Sequence, residues 1–267
     1  MKDLAVDPML HEAKTRLSRA DRVVAISAGK GGVGKSFITA AMALTLAEKG
    51  RRVGVLDLDV HGPTLPKILG ANGQITAWKG GLRPLRSGDI ELMSVGFMIG
   101  EEPLPSSGGE KMSLISTMVA LTDWGDLDYL LIDVPPGTGE ETTWLLRALR
   151  GLGHAGALVV TTPSLLAESV VRRLLKLLRD EKVRILGLVE NLSYFMCGGE
   201  LVRPFGEGAA ERLSREFAVP VLARLPIDPS IEEAILSKNF YQSLSEGVRS
   251  AISELVEAVE ALSLPQG

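Results

Sequence analysis

Gly29-Lys30-Gly31-Gly32-Val33-Gly34-Lys35-Ser36 has the spacing G-x-x-x-x-G-K-[ST], and it stands between a strand-like apolar run, 23–27, and a helical pattern that starts near Lys35. In that setting the glycines let the chain curl, so that successive N–H groups face inward at phosphate oxygens. The helix adds the positive end of its dipole. The sequence therefore predicts a phosphate cradle made by Gly29, Lys30, Gly31, Gly32, Val33 and Gly34. Lys35 reaches the β- and γ-phosphates, and the Ser36 hydroxyl is a ligand for Mg²⁺. Lys30 is a second lysine in the loop, and the cradle does not need it. A flexible ammonium there can reach the phosphates of a nucleotide held by a facing copy, as an arginine finger does; the plain alternative is a solvated loop lysine.

Working outward, a helix over 35–49 runs about 22 Å at 1.5 Å per residue, and a strand over 52–57 returns about 20 Å at 3.3 Å per residue. The chain so comes back to the same sheet edge and delivers Asp57 and Asp59 beside the phosphates. Asp133, closing the strand 128–133, is expected there as well. Asp133, through water, and Asp57 are candidate Mg²⁺ groups, and Asp57 or Asp59 is a candidate to position or activate the attacking water. A strand-end Asp can also be no more than a helix cap. The Asn/Thr-Lys-x-Asp segment that reads guanine does not occur, which favours ATP. Asn191, Pro226 and Asp228, at late strand ends, are the expected base contacts.

Further apolar runs at 53–56, 129–132, 157–160, 185–189 and 219–222 read as strands buried on both faces. Helical patterns over 111–122, 140–150, 164–180, 207–217 and 245–262 separate most of them. This alternation predicts an α/β fold, a mostly parallel twisted sheet flanked by helices on both faces, of the P-loop NTPase kind. One domain over 1–267 is expected, with an N-terminal helical extension (1–20). An irregular insertion (71–109) should hold a loop, a short hairpin and one strand near 90–95.

With 45% hydrophobic and 23% charged residues the chain is not disordered, and no apolar run approaches the roughly 18 residues of a membrane span. The N-terminus lacks the apolar core of a signal peptide. A single cysteine, Cys197, excludes an intrachain disulfide and suits a reducing cytoplasm. A net charge of −4 offers no general attraction to nucleic acid or anionic lipid, so neither nucleic acid nor membrane is an expected partner. Arg172, Arg173, Lys176 and Arg179 form a basic stripe that reads as a solvated helix face. Val248, Ile252, Leu255, Val259 and Leu262 share one face of the final helix, which should pack on the sheet. His11, His61 and His154 show no metal-ligand spacing.

The loop, Asp57-x-Asp59-x-x-Gly62-Pro63, and Asp133-x-Pro135-Pro136-Gly137-Thr138-Gly139 together resemble an Mrp/ApbC-type ATPase, of the deviant Walker A class with MinD, ParA and the nitrogenase iron protein. The resemblance runs from about Arg22 to the helix near Ser230. It includes Glu190-Asn191-Leu192-Ser193-Tyr194-Phe195 and Leu225-Pro226-Ile227-Asp228-Pro229. It implies a homodimer that sandwiches two ATP molecules, with Lys30 acting across the interface, Asp59 in switch I, Asp133 as Walker B and 134–140 as switch II. It also implies delivery of an iron–sulfur cluster to client or scaffold proteins.

The chain departs from that family at four places. Cluster-carrying members have Cys-x-x-Cys where this chain has Cys197-Gly198-Gly199-Glu200, so two copies offer two thiolates where a [4Fe–4S] cluster normally takes four. Cys197 is then a thiolate for a cluster completed by non-protein ligands, a labile metal ligand, or a small apolar residue. Phe37 stands where relatives usually place a Thr that holds the α-phosphate. Pro105-Ser106-Ser107-Gly108-Gly109 replaces a Trp-Arg-Gly-Pro segment, and His61 stands where relatives tend to carry an aromatic. Two other readings remain open at this point: a ParA- or MinD-like positioning protein, and a metabolic P-loop enzyme acting on a small molecule.

Overall fold

The computed structural model describes residues 7–60, 62–99, 107–237 and 239–262. The chain opens with α1 (Pro8–Leu17), β1 (Ala20–Ala28), α2 (Lys35–Glu48), β2 (Val53–Asp57) and the single turn α3 (Leu65–Ile68). Two hairpins follow, β3 (Thr76–Trp78) with β4 (Gly81–Arg83), then β5 (Leu85–Ser87) with β6 (Ile90–Ser94). Next come α4 (Gly96–Ile99), α5 (Gly108–Leu121), β7 (Leu127–Asp133), α6 (Glu140–Leu149), β8 (Ala155–Thr161) and α7 (Leu165–Asp180). The last part holds β9 (Ile185–Cys197), β10 (Glu200–Val202), α8 (Ala209–Phe217), β11 (Val221–Pro226), α9 (Ser230–Leu236), α10 (Phe240–Ser243) and α11 (Glu246–Ala261).

The main sheet has the order β10-β9-β8-β1-β7-β2-β6-β5, with β11 also on β9. From β9 through β6 every pairing is parallel, and the short strands β5 and β10 close the two ends antiparallel. Every residue of β2 and of β8 is buried, because helices cover both faces and leave no polar side to the central strands. One core joins α2, α10 and α11 to the sheet through Ile38, Met42, Phe240, Ile252 and Leu255. The other joins α1, α5, α6 and α7 through Leu17, Ile115, Leu145 and Leu174. The layered, mostly parallel architecture read from the sequence is thus found.

Three local expectations change. The 71–109 stretch holds two hairpins, and β6 extends the parallel sheet beside β2. Residues 100–106, with Pro105 and Ser106, lie outside the described residues, as does His61. The run read as 185–189 continues to Cys197, because Gly198 (φ 58°) and Gly199 (φ 87°) make a two-residue turn that folds β10 back on it. The basic stripe on α7 is half used: Arg172 pairs with Glu168 and Glu216, and Arg179 donates to the Phe217 carbonyl. The bonds to Glu216 and Phe217 stitch α7 to α8, while Arg173 and Lys176 stay exposed. On α11, Val248, Ile252, Leu255 and Val259 are buried against the sheet as the periodicity requires.

Candidate functional site

β1 ends at Ala28 and α2 begins at Lys35, so the glycine-rich loop spans the carboxyl edge of the sheet. Gly32 (φ 74°) and Gly34 (φ 84°) take the left-handed conformation that gives the loop its curl. Gly34 has a second reason to lack a side chain, since a Cβ there would overlap the Asn191 amide. Gly29 has a different role from the one read in the sequence. Its φ is not positive, and a Cβ would sit 2.9 Å from the main-chain carbon of Val170, so it lets the loop lie against α7.

Lys35, the first residue of α2, is buried, and its Nζ donates to Asp133 Oδ1 at 2.5 Å with Asp59 Oδ2 at 3.9 Å. Ser36 Oγ donates to Asp133 Oδ2 at 2.6 Å, and Thr39 Oγ1 lies 3.3 Å from Oδ1. Asp57 and Asp133 end neighbouring parallel strands in register with each other, and both are wholly buried. Asp57 accepts from Ser94 Oγ at 2.8 Å and from the Asp59 N–H at 3.2 Å. The sheet edge thus brings together Lys35, Ser36, Asp57, Asp59 and Asp133, which the spacing argument placed there.

The electrostatics follow from this crowding. Burial, then the neighbouring Asp133 charge, pushes the Asp57 carboxyl up to about 7. Burial pushes Asp133 up as well, against the opposing pull of Lys35. One buried ammonium balances two buried carboxylates incompletely, so the site favours a further cation. The donors are hard oxygens from Ser36, Asp57 and Asp133, which suits Mg²⁺. Among the described residues no cluster of three or more His, Cys, Asp or Glu forms a cage of its own. Mg²⁺ is usually held by one or two carboxylates together with water and substrate phosphates.

The loop, Asp59 and Asn191 form the polar side of a cleft of about 560 Å³. Apolar side chains of Phe37, Ile68, Leu192, Ile231 and Ile235 line it as well, beside Thr64, Lys67 and Glu232. Sequence reasoning missed this wall. The only signal was the i, i+4 spacing of Ile231 and Ile235, on a helix too short to stand out. Phe37 is held in place by an edge-to-face contact with Phe240, centroids 6.0 Å apart.

Of the three expected base contacts, only Asn191 lines the cleft. Its Nδ2 donates to the Val33 carbonyl at 2.9 Å. Pro226 and Asp228 instead line a separate cavity with Tyr194, Phe195 and Met196. Asp228 accepts from the Ser230 N–H and from Ser245 Oγ, which joins the starts of α9 and α11. Burial works to raise its pKa, but these bonds hold it below the usual carboxylate range. Lys30 is exposed on the loop, and Cys197 is exposed at the end of β9. Among the described residues no helix is long and apolar enough to cross a membrane.

Residues 19–260 match the ParA family model described as NUBPL iron-transfer P-loop NTPase. The chain is 39% identical over 217 residues to the iron-sulfur cluster carrier protein of Saccharolobus solfataricus, covering 79% of this chain and 73% of that protein. It is 40% identical over 227 residues to the cytosolic Fe-S cluster assembly factor NUBP2 of Bos taurus, covering 82% and 84%. Among solved structures, the nucleotide-binding protein of Archaeoglobus fulgidus in complex with ADP superposes with a TM-score of 0.70 at 32% identity, over 95% of this chain and 94% of that one. The cell division ATPase MinD of Pyrococcus furiosus gives 0.67 at 23% identity, over 91% and 100%, a likeness of fold alone.

Proposed function

Because this chain belongs to the ParA family of NUBPL-type iron-transfer P-loop NTPases, we propose that it is a Mg²⁺-dependent, slowly hydrolysing ATPase. It works as a homodimeric switch in the assembly or transfer of iron–sulfur clusters in the cytoplasm. The observation that carries the reading is the convergence of Lys35, Ser36, Asp57, Asp59 and Asp133 at one sheet edge under the glycine-rich loop.

In this reading the loop amides and the start of α2 hold the phosphates, and Lys35 exchanges part of its contact with Asp133 for phosphate oxygens. Ser36 and Asp133, with Asp57 beside them, would hold Mg²⁺, which would supply charge neutralisation for the phosphates. Asp59 positions a water for attack on the γ-phosphorus; the bond to the β–γ bridging oxygen breaks, leaving ADP and phosphate. Lys30 acts on the nucleotide of the facing copy. The apolar wall of Phe37, Ile68, Ile231 and Ile235 takes the base, and Asn191 stands at its polar margin. The cluster is cargo. Each chain supplies one thiolate, Cys197, so a dimer supplies two and other ligands complete the set.

Calorimetry with Mg²⁺ and ATP tests the core of this reading. The wild type binds and slowly hydrolyses ATP, and Lys35→Ala abolishes turnover. Failure of the wild type to bind ATP ends the proposal.

A further inference from the structure

Three described residues other than glycine have a positive φ: Lys182, Leu192 and Ala218. Lys182 and Ala218 lie at the ends of α7 and α8, where a left-handed residue is the usual way to stop a helix. Leu192 has no such reason, because it lies inside β9 at φ 54°. The sheet is broken at the same place. β8 pairs with β9 up to Glu190, and β11 pairs with it at Glu190 and next at Tyr194. Four steps of β9 thus face two of β11, and residues 191–193 bulge out of the ladder.

The bulge rests on the phosphate loop. Asn191 is buried, its Nδ2 is bonded to the Val33 carbonyl, and Gly34 packs directly on the same amide. Its Oδ1 is buried without a hydrogen-bond partner among the described residues. Leu192 itself lines the cleft. At the end of the bulge Ser193 Oγ donates to Glu190, and just beyond it the Ile227 N–H donates to the Tyr194 carbonyl at 2.6 Å. The last three residues of β9 then pair only with β10. This arm carries Cys197 and an exposed apolar rim, Met196, Leu201 and Val202.

We propose that residues 191–193 are a hinge through which occupancy of the phosphate loop sets the angle of the β9–β10 arm, and so the presentation of Cys197 and its apolar rim. The inference rests on nucleotide binding in the cleft. The left-handed and extended wells are separate, so Leu192 has two discrete settings and no continuum between them. The left-handed one is unfavourable for leucine and persists because its neighbours are anchored on both sides. Any ligand that turns the Val33–Gly34 peptide acts directly on one anchor, Asn191. A change of setting at one residue then redirects the arm, whose strand pairing beyond Tyr194 is with β10 among the described residues.

Hydrogen exchange of peptides covering 195–202, read by mass spectrometry with and without saturating Mg²⁺ and ATP, tests the hinge in the full-length protein. A fluorescent ATP analogue measures occupancy on the same samples. In the wild type, arm exchange changes on binding. Leu192→Gly favours the left-handed setting and Leu192→Val disfavours it, so their exchange rates without nucleotide fall on opposite sides of the wild type, about tenfold apart (about 1.4 kcal/mol). In both variants the response to saturating nucleotide shrinks. Nucleotide bound with unchanged arm exchange overturns the hinge and leaves the ATPase reading standing. Variants that shift exchange in the same direction also overturn it. So does a response that vanishes on tenfold dilution at sustained occupancy, because a covering second copy then explains it. Absence of nucleotide binding removes both readings.

Discussion

Asp57→Asn is expected to make the protein more stable in alkaline solution, although it removes a charged group beside a lysine. Asp57 is wholly buried, and its carboxyl is pushed up to about 7 from 3.8 by burial first and by Asp133 second. The native state therefore binds more protons than the unfolded chain between pH 4 and 7, and stability falls as pH rises through that window. A difference of about three pH units corresponds to a penalty on the order of 4 kcal/mol, absent below pH 4 and complete above about pH 7. The amide keeps the local bonds: its oxygen accepts from the Asp59 N–H, and its nitrogen donates to Ser94 Oγ. Urea unfolding in EDTA, followed by the fluorescence of the buried Trp124, measures the effect. The two proteins should have the same midpoint dependence near pH 4 and diverge between pH 5 and 7, the variant ahead by a few kcal/mol at pH 8. With Mg²⁺ and ATP the order reverses for activity, because the lost carboxylate weakens the metal site. Parallel profiles across the whole range would refute the argument.

Further outcomes can be checked singly. Lys30→Ala keeps ATP binding and loses hydrolysis; normal turnover removes the trans-acting role. Phe37→Thr removes both the contact with Phe240 and part of the apolar wall, so it lowers stability by about 2–4 kcal/mol in urea unfolding and weakens ATP binding by calorimetry; unchanged affinity removes Phe37 from the base wall. Gly29→Ala forces a methyl against the Val170 main chain and costs about 1–3 kcal/mol in a denaturant titration; an unchanged midpoint means α7 yields freely. Anaerobic reconstitution with iron and sulfide gives at most one cluster per two chains and none in Cys197→Ala, so a stable cluster in that variant excludes Cys197 as its ligand.

What could be read from the sequence was whatever depends on period and spacing. The fully apolar runs at 53–56 and 157–160 read as strands covered on both faces, and β2 and β8 are. The lengths of α2 and β2 carried Asp57 and Asp59 back to the loop. The rest depended on contacts between distant segments. Gly29 looks like any loop glycine until α7 is packed beside it, and Phe37 looks out of place until Phe240 meets it from more than 200 positions away. Asp228 looked like a base contact because it follows a strand end, but Ser230 and Ser245 take both its oxygens. The left-handed Leu192 has no local sequence signal, since neither glycine nor asparagine occupies the position.

The two margins of the sheet are unlike. At one, β5 is three residues long and carries Arg86, whose side chain is 81% exposed, so charge and shortness discourage a foreign strand from adding there. At the other, β10 is equally short but presents Leu201 and Val202 to solvent. Growth by backbone pairing is therefore blocked on one flank and open on the other. On that flank β11 already lies along β9 as far as Tyr194, so the strand that an incoming chain would meet beyond it is β10.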